Sequence, residues 1–75
     1  MRVNFNSVIV SKETKISKQT NREYGLVSFM DGTNILKAVV DESIDFNGIP
    51  VLEECNLNLD VTFGKYPKIN LLDVK

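Results

Sequence analysis

The sequence predicts an all-β fold, a small barrel of about five strands. Three observations carry this expectation. Residues 22–40 form two runs rich in β-branched and aromatic residues on either side of Asp31-Gly32-Thr33-Asn34, the pattern of a β-hairpin. Residues 55–63 alternate apolar and polar side chains, as a strand with one core face and one wet face does. The remaining runs read as strands too, with no internal repeat and no confident helix, so residues 1–75 make a single domain.

The first strand covers residues 3–10. Val3 and Phe5 alternate with Asn4 and Asn6, but Val8, Ile9 and Val10 run together, and such a change of phase marks a bulge or bend. A long, bent first strand serving two sheets is what a small closed barrel requires. Residues 11–21 are polar, with Ile16 alone to bury, and read as the end of that strand plus a mobile loop. They begin the basic cluster Lys12, Lys15, Lys18 and Arg22, set against Glu13 alone. The cations are expected on a flexible arm beside Tyr24.

In the hairpin, a Gly32-Thr33 loop sets Phe29 opposite Leu36, Val27 opposite Ala38 and Met30 opposite Ile35, whereas an Asp31-Gly32 loop would set Phe29 opposite Asn34. The first register pairs apolar with apolar and is preferred. Alternation then puts Gly25, Val27, Phe29, Leu36, Ala38 and Val40 on the core face. Tyr24, Leu26, Ser28, Met30, Ile35, Lys37 and Val39 share the other face, which is partly solvated and partly covered.

Residues 41–50 are an acidic connection punctuated by Asn47-Gly48 and Pro50. They fit a short helical turn, or a second small hairpin, folded over the barrel end by Ile44, Phe46 and Ile49. After the strand at 55–63, residues 64–67 turn the chain and residues 68–75 return as the last strand. A three-residue loop directs Ile69 and Leu71 inward, a four-residue loop Leu72 and Val74, and the Leu71-Leu72 pair suggests that both phases are used across a bulge. The total fits a five-stranded Greek-key barrel of the oligonucleotide/oligosaccharide-binding (OB) type. An SH3-like barrel is the alternative.

Composition narrows the chemistry. A chain of 75 residues buries only about 60% of its unfolded surface, so either an economical closed β-structure or a dimer is expected. With no histidine and a single cysteine, Cys55, the commonest general base and zinc ligand are missing and no internal disulfide can form. No charged-then-apolar leader is read at residues 1–10, and no apolar run approaches the roughly 20 residues needed to span a bilayer. The expected setting is a reducing cytoplasm, with no membrane, cofactor, metal or small-molecule substrate. Net charge is −1, yet the six acids between residues 41 and 60 have no cation among them, while cations gather at 12–22 and at Lys65 and Lys68.

Binding a flexible single strand needs cations along its backbone path and exposed aromatic faces on which bases stack. Tyr24 lies on the mixed face two residues after Arg22, and Tyr66 sits at a turn tip between Lys65 and Lys68. Phe5, Phe29 and Phe63 fall on apolar phases and are expected in the core.

The order of a bent basic strand and loop, then S-K-Q-T-N-R-E-Y-G-L-V-S-F-M-D-G-T-N, then L-D-V-T-F-G-K-Y-P-K-I-N-L-L-D-V-K, resembles the small single-stranded DNA-binding proteins of filamentous phages and of related Gram-positive phages and mobile elements. The resemblance implies an OB-type barrel, a homodimer, and sequence-tolerant coating of single-stranded DNA during replication. It implies stacking by Tyr24 and Tyr66 and phosphate contacts from Lys15, Lys18, Arg22 and Lys65, to which the position of Lys68 beside the turn adds a further cation. The segment after Val40, which family members use for dimer contact and cooperativity, is short, acidic and without tyrosine here.

Two other classes compete. A protein-binding module would dock on a host or replication protein through its acidic face, with Leu26, Met30, Ile35 and Val39 as apolar contacts; the same four could instead form a homodimer interface. A carboxylate metal hydrolase would need Asp41, Glu42, Glu53 and Glu54 to converge, but neighbours on a strand point to opposite faces. Cys55 reads as a small core residue.

Overall fold

The structure, a computed structural model, describes residues 1–75. Five strands, β1 (Arg2–Ile16), β2 (Glu23–Asp31), β3 (Asn34–Val40), β4 (Glu54–Thr62) and β5 (Lys68–Val74), form a closed barrel in the order β1-β2-β3-β5-β4, with β4 returning to β1. All contacts are antiparallel except β3 with β5, which is parallel. This Greek-key connectivity is that of the OB-type barrel rather than the SH3-like one. The only helical element is a 3₁₀ turn at Phe46–Gly48. No helix is long and apolar enough to cross a membrane.

β1 has 15 residues and would run about 50 Å if straight. The molecule's longest principal extent is 33 Å, so the strand must bend. It does so where the sequence changes phase. Residues 2–8 pair with β4, residues 9–16 pair with β2, and the register slips between Ile9 and Ser11. Inward side chains are odd-numbered before the bulge (Val3, Phe5, Ser7, Ile9) and even-numbered after it, where Lys12 lies opposite the fully buried Val27. Buried Ser7 donates its hydroxyl to the Met30 carbonyl and so ties β1 to β2 beyond the bend.

The β2–β3 hairpin has the apolar register, with Met30 opposite Ile35, Phe29 opposite Leu36 and Val27 opposite Ala38. Gly32 takes φ +62, as the first residue of a two-residue hairpin loop of type II′. The core comprises Ile9, Val27, Phe29, Ala38, Leu57, Leu59 and Leu71 with Val40, Ile49 and Cys55, one side chain or more from each strand. β5 uses both phases: Ile69 and Leu71 face inward, the register slips against Asn58 and Leu59, and Val74 packs on the core beyond the slip.

The 41–53 connection closes one end of the barrel. Ile44, Phe46 and Ile49 pack on the core, and the Phe46 ring lies where a Cβ on Gly25 would stand, 2.7 Å from Cδ2. Asp45 caps the 3₁₀ turn by accepting from the Asn47 N–H. Lys12 reaches in from β1 and donates to the carbonyls of Phe46 (3.0 Å), Asn47 (3.3 Å) and Ile49 (3.1 Å), with its Nζ 5.3 Å from the Phe46 ring centre. Lys12 therefore leaves the basic cluster in which its sequence position had set it.

Residues 11–21 hold the end of β1, as the sequence predicts, and then a turn that differs from the expected loop. The strand continues to Ile16, whose side chain is 66% exposed. The loop 17–22 is a tight turn rather than a flexible arm, closed by Ser17 N–H to Arg22 O (2.9 Å) and Asn21 N–H to Ser17 O (2.8 Å), with Asn21 at φ 56. Asparagine tolerates that conformation better than most residues.

Candidate nucleic-acid interface

The β1–β2–β3 sheet presents a continuous outer face. On β1 the outward residues past the bulge are Ser11, Glu13 and Lys15; opposite them on β2 stand Ser28, Leu26 and Tyr24. On β3, Lys37 lies opposite Ser28 and Val39 opposite Leu26. Lys15 and Tyr24 are thus direct cross-strand neighbours, a cation beside a half-buried ring. The sequence separates them by nine positions, and the antiparallel pairing of β1 and β2 brings them together.

Lys18 and Arg22 belong to the β1–β2 turn at the Tyr24 end of this face. Lys65 and Tyr66 belong to the β4–β5 turn, residues 63–67, at the other end. Val39 pairs with Asn70 in parallel, so two residues back along both strands Lys68 stands level with Lys37. The two groups expected from sequence therefore flank one face instead of meeting at a point. Lys37, which the hairpin pattern put on the mixed face but which was not counted as a site residue, lies between them.

Charge is uneven along this path. Lys15 and Lys37 each approach Glu13 Oε1 at 3.9 Å, with all three side chains about half exposed. Such pairs contribute little to stability, but they offset two of the central cations. Lys18, Arg22, Lys65 and Lys68 form no ion pair. At the far tip, Lys65 Nζ stands 5.8 Å from the centre of the Tyr66 ring, and that ring is 76% exposed. Phe63, expected in the core, is 68% exposed: the β4–β5 ladder ends at Thr62, and Phe63, the next inward position after Val61, projects past that last rung.

Beside Tyr24, a groove of about 430 Å³ runs between Val39, Asn70 and Leu72 and carries three carboxylates, Asp41, Glu42 and Asp60. Asp41 is held below the usual carboxylate range by hydrogen bonds from the Ser43 hydroxyl and backbone N–H. An anionic strand crossing Tyr24 must pass on the Lys15 side of the ring.

The barrel end opposite the Phe46 cap is open. Its mouth is a hollow of about 410 Å³ with nearly buried Phe29 at the floor, Phe5, Leu36, Val61 and Ile69 on the walls, and Asp31 as the one polar side chain. Phe5 and Phe29 form a tilted pair with ring centres 5.8 Å apart. The β2–β3 and β4–β5 turns stand around this mouth.

No three or more cysteine, aspartate or glutamate side chains gather in a way that could hold a metal ion, Asp41, Glu42, Glu53 and Glu54 included. Cys55 is buried, and loss of solvent pushes its thiol pKa up, so it is a core residue rather than a thiolate nucleophile. Compared with family models, curated proteins and solved structures, the chain matches none.

Proposed function

We propose that this protein binds single-stranded DNA with little sequence preference, coating it during replication of a phage or mobile element in a bacterial cytoplasm. The observation that carries the reading is the outer face of β2 and β3, with cations free of ion pairs at both ends and an aromatic ring beside a lysine at each: Tyr24 with Lys15, Tyr66 with Lys65. OB-type barrels bind oligonucleotides on the strand 2–3 face between these same two loops. Stacking on each ring contributes about 1–3 kcal/mol per base, without regard to base identity. Lys18, Arg22, Lys65 and Lys68 supply phosphate contacts at the ends, and Lys15 and Lys37 weaker ones between.

A homodimer would pair along the free edge of β3, at the β2–β3 turn end of this face. β3 begins at Asn34, but its ladder with β5 begins only at Val39, leaving its first residues as an open edge. Exposed Ile35 and Met30 lie beside that edge, and a second copy would cover both. The acidic groove at Tyr24 favours a second reading, in which a basic partner protein docks there.

Fluorescence anisotropy of a labelled oligothymidine, at low and moderate salt and with a duplex control, separates the two. Tight binding of the single strand that weakens steeply with salt is expected for the coating protein, through counterion release. Tyr24→Ala and Tyr66→Ala should each weaken it by about 5- to 150-fold. Absence of binding at low salt would overturn the reading in favour of the docking module.

A further inference from the structure

We propose that the open barrel mouth is a base pocket that takes one guanine of the bound strand. The inference rests on the single-strand reading above and adds a preference at one nucleotide to an otherwise tolerant surface.

The two ends of the barrel are built differently. One is closed by Ile44, Phe46 and Ile49, with Lys12 fastening the closing segment. At the other, Phe29, Leu36 and Ile69 face a hollow of about 410 Å³ that no segment of this chain covers. That volume falls in the range of small-ligand sites, and apolar walls with one polar group are their usual composition.

The charges around the mouth identify the occupant. Asp31 occupies an inward phase of β2, where it stands exposed at the rim, and its carboxylate has no hydrogen-bond or ion-pair partner within the protein. An ionised carboxylate only accepts hydrogen bonds and can accept two in parallel. Among the bases, the Watson–Crick edge of guanine offers two adjacent donors, the ring N1–H and the exocyclic amine. Thymine offers one donor between two carbonyls that a carboxylate repels. Outside the mouth, Lys65 and Lys68 stand on the adjoining turn and strand without acid partners. A nucleotide has this same division, with an anionic phosphate outside and a donor edge on a flat apolar ring inside. An apolar peptide side chain would satisfy the walls and leave Asp31 unused. Tyr66, 76% exposed on the same turn, is placed to stack the neighbouring base.

Two titrations test this. In the first, guanosine monophosphate and thymidine monophosphate are added separately to the methyl-labelled protein. Shifts at Leu36 and Ile69 with the guanine nucleotide and not the thymine one are expected, and Asp31→Asn should abolish them. In the second, an oligothymidine of about 16 nucleotides with one internal guanine should bind about tenfold tighter than the all-thymine strand. Replacing that guanine by hypoxanthine, which lacks the amine, should forfeit part of the gain. Asp31→Asn should lose the preference and keep the oligothymidine affinity.

Equal shifts with both nucleotides, no shift at the mouth, or an unchanged preference in Asp31→Asn would overturn the pocket. So would a mouth that takes phenylalanine amide but not the nucleotide, which would mark it as a side-chain socket. Guanine-specific shifts in a protein that binds no single strand would instead overturn the coating function and leave the pocket standing.

Discussion

Replacing Lys12 by methionine keeps the apolar stem and removes the ammonium that holds the 41–53 segment over the barrel end. Three carbonyls lose the ammonium, those of Phe46, Asn47 and Ile49, at 3.0, 3.3 and 3.1 Å, and of the three Phe46 still accepts from the Ile49 N–H at 3.3 Å. A hydrogen bond to a charged group contributes about 1.5–3 kcal/mol net. The three bonds share one ammonium, and the Asn47 bond is exposed to water, so they do not add in full. The part-buried Phe46 and Ile49 carbonyls set the loss at about 3 kcal/mol. In a domain of this size each kcal/mol moves Tm by about 4–8 °C, so Lys12→Met should melt about 12–24 °C lower by circular dichroism. Oligothymidine affinity, measured well below both melting points, should be unchanged, because the ammonium faces the cap and not the outer sheet. A Tm within about 4 °C of wild type would refute the cap argument. Undiminished stability with lost affinity would return Lys12 to the basic cluster.

Gly25→Ala places a Cβ 2.7 Å from Phe46 Cδ2 and 3.3 Å from Val40 Cβ, and should cost about 1–3 kcal/mol in urea unfolding; a neutral result would mean the ring moves aside freely. Leu52 is 73% exposed at φ 65, so Leu52→Gly should relieve backbone strain and raise stability by up to about 1 kcal/mol. A lower urea midpoint for Leu52→Gly would show that its side chain packs in solution. The folded pKa of Cys55 lies above its unfolded value, chiefly through desolvation, so the neutral thiol folds without penalty below the unfolded pKa. Stability should then fall as pH rises from the unfolded toward the folded pKa. Wild type should lose stability more steeply than Cys55→Ala above the ordinary thiol range, and parallel slopes would contradict this.

Much of the barrel was legible because its strands obey a period of two. The hairpin register followed from matching Phe29 with Leu36 rather than Asn34, and the double phase of the last strand from the Leu71-Leu72 pair. The bulge at Ile9 to Ser11 was also legible as a bend. Its consequence was not, because the reversal of phase that turns Lys12 inward depends on which residue is extruded. Phe63 misled for a related reason. Alternation shows which face a side chain is on, but not where the barrel stops.

The candidate interface was legible as residue types and not as a path. That Lys15 and Tyr24 are neighbours, that Lys37 lies between the two basic groups, and that Glu13 offsets two of the cations all depend on cross-strand register. The open mouth carries no sequence signal of its own, since its wall residues look like any other core positions.

The barrel is closed on one side by only two parallel rungs, Val39 with Asn70 and Val40 with Leu71. Every other contact but β1–β4 joins strands adjacent in the chain, and such hairpins form within microseconds. The β3–β5 join closes its loop for two rungs where β1–β4 gains seven, so it is rewarded least for closing and is expected to form last in folding. By the same token this two-rung join is expected to open most easily in the native state. The Leu71 amide should exchange with solvent faster than those of Val27 and Phe29, and equal protection would indicate a barrel that opens only as a whole. A seam that breathes while the hairpin beside it stays intact would confine the barrel's opening to one side and leave the β1–β2–β3 sheet whole.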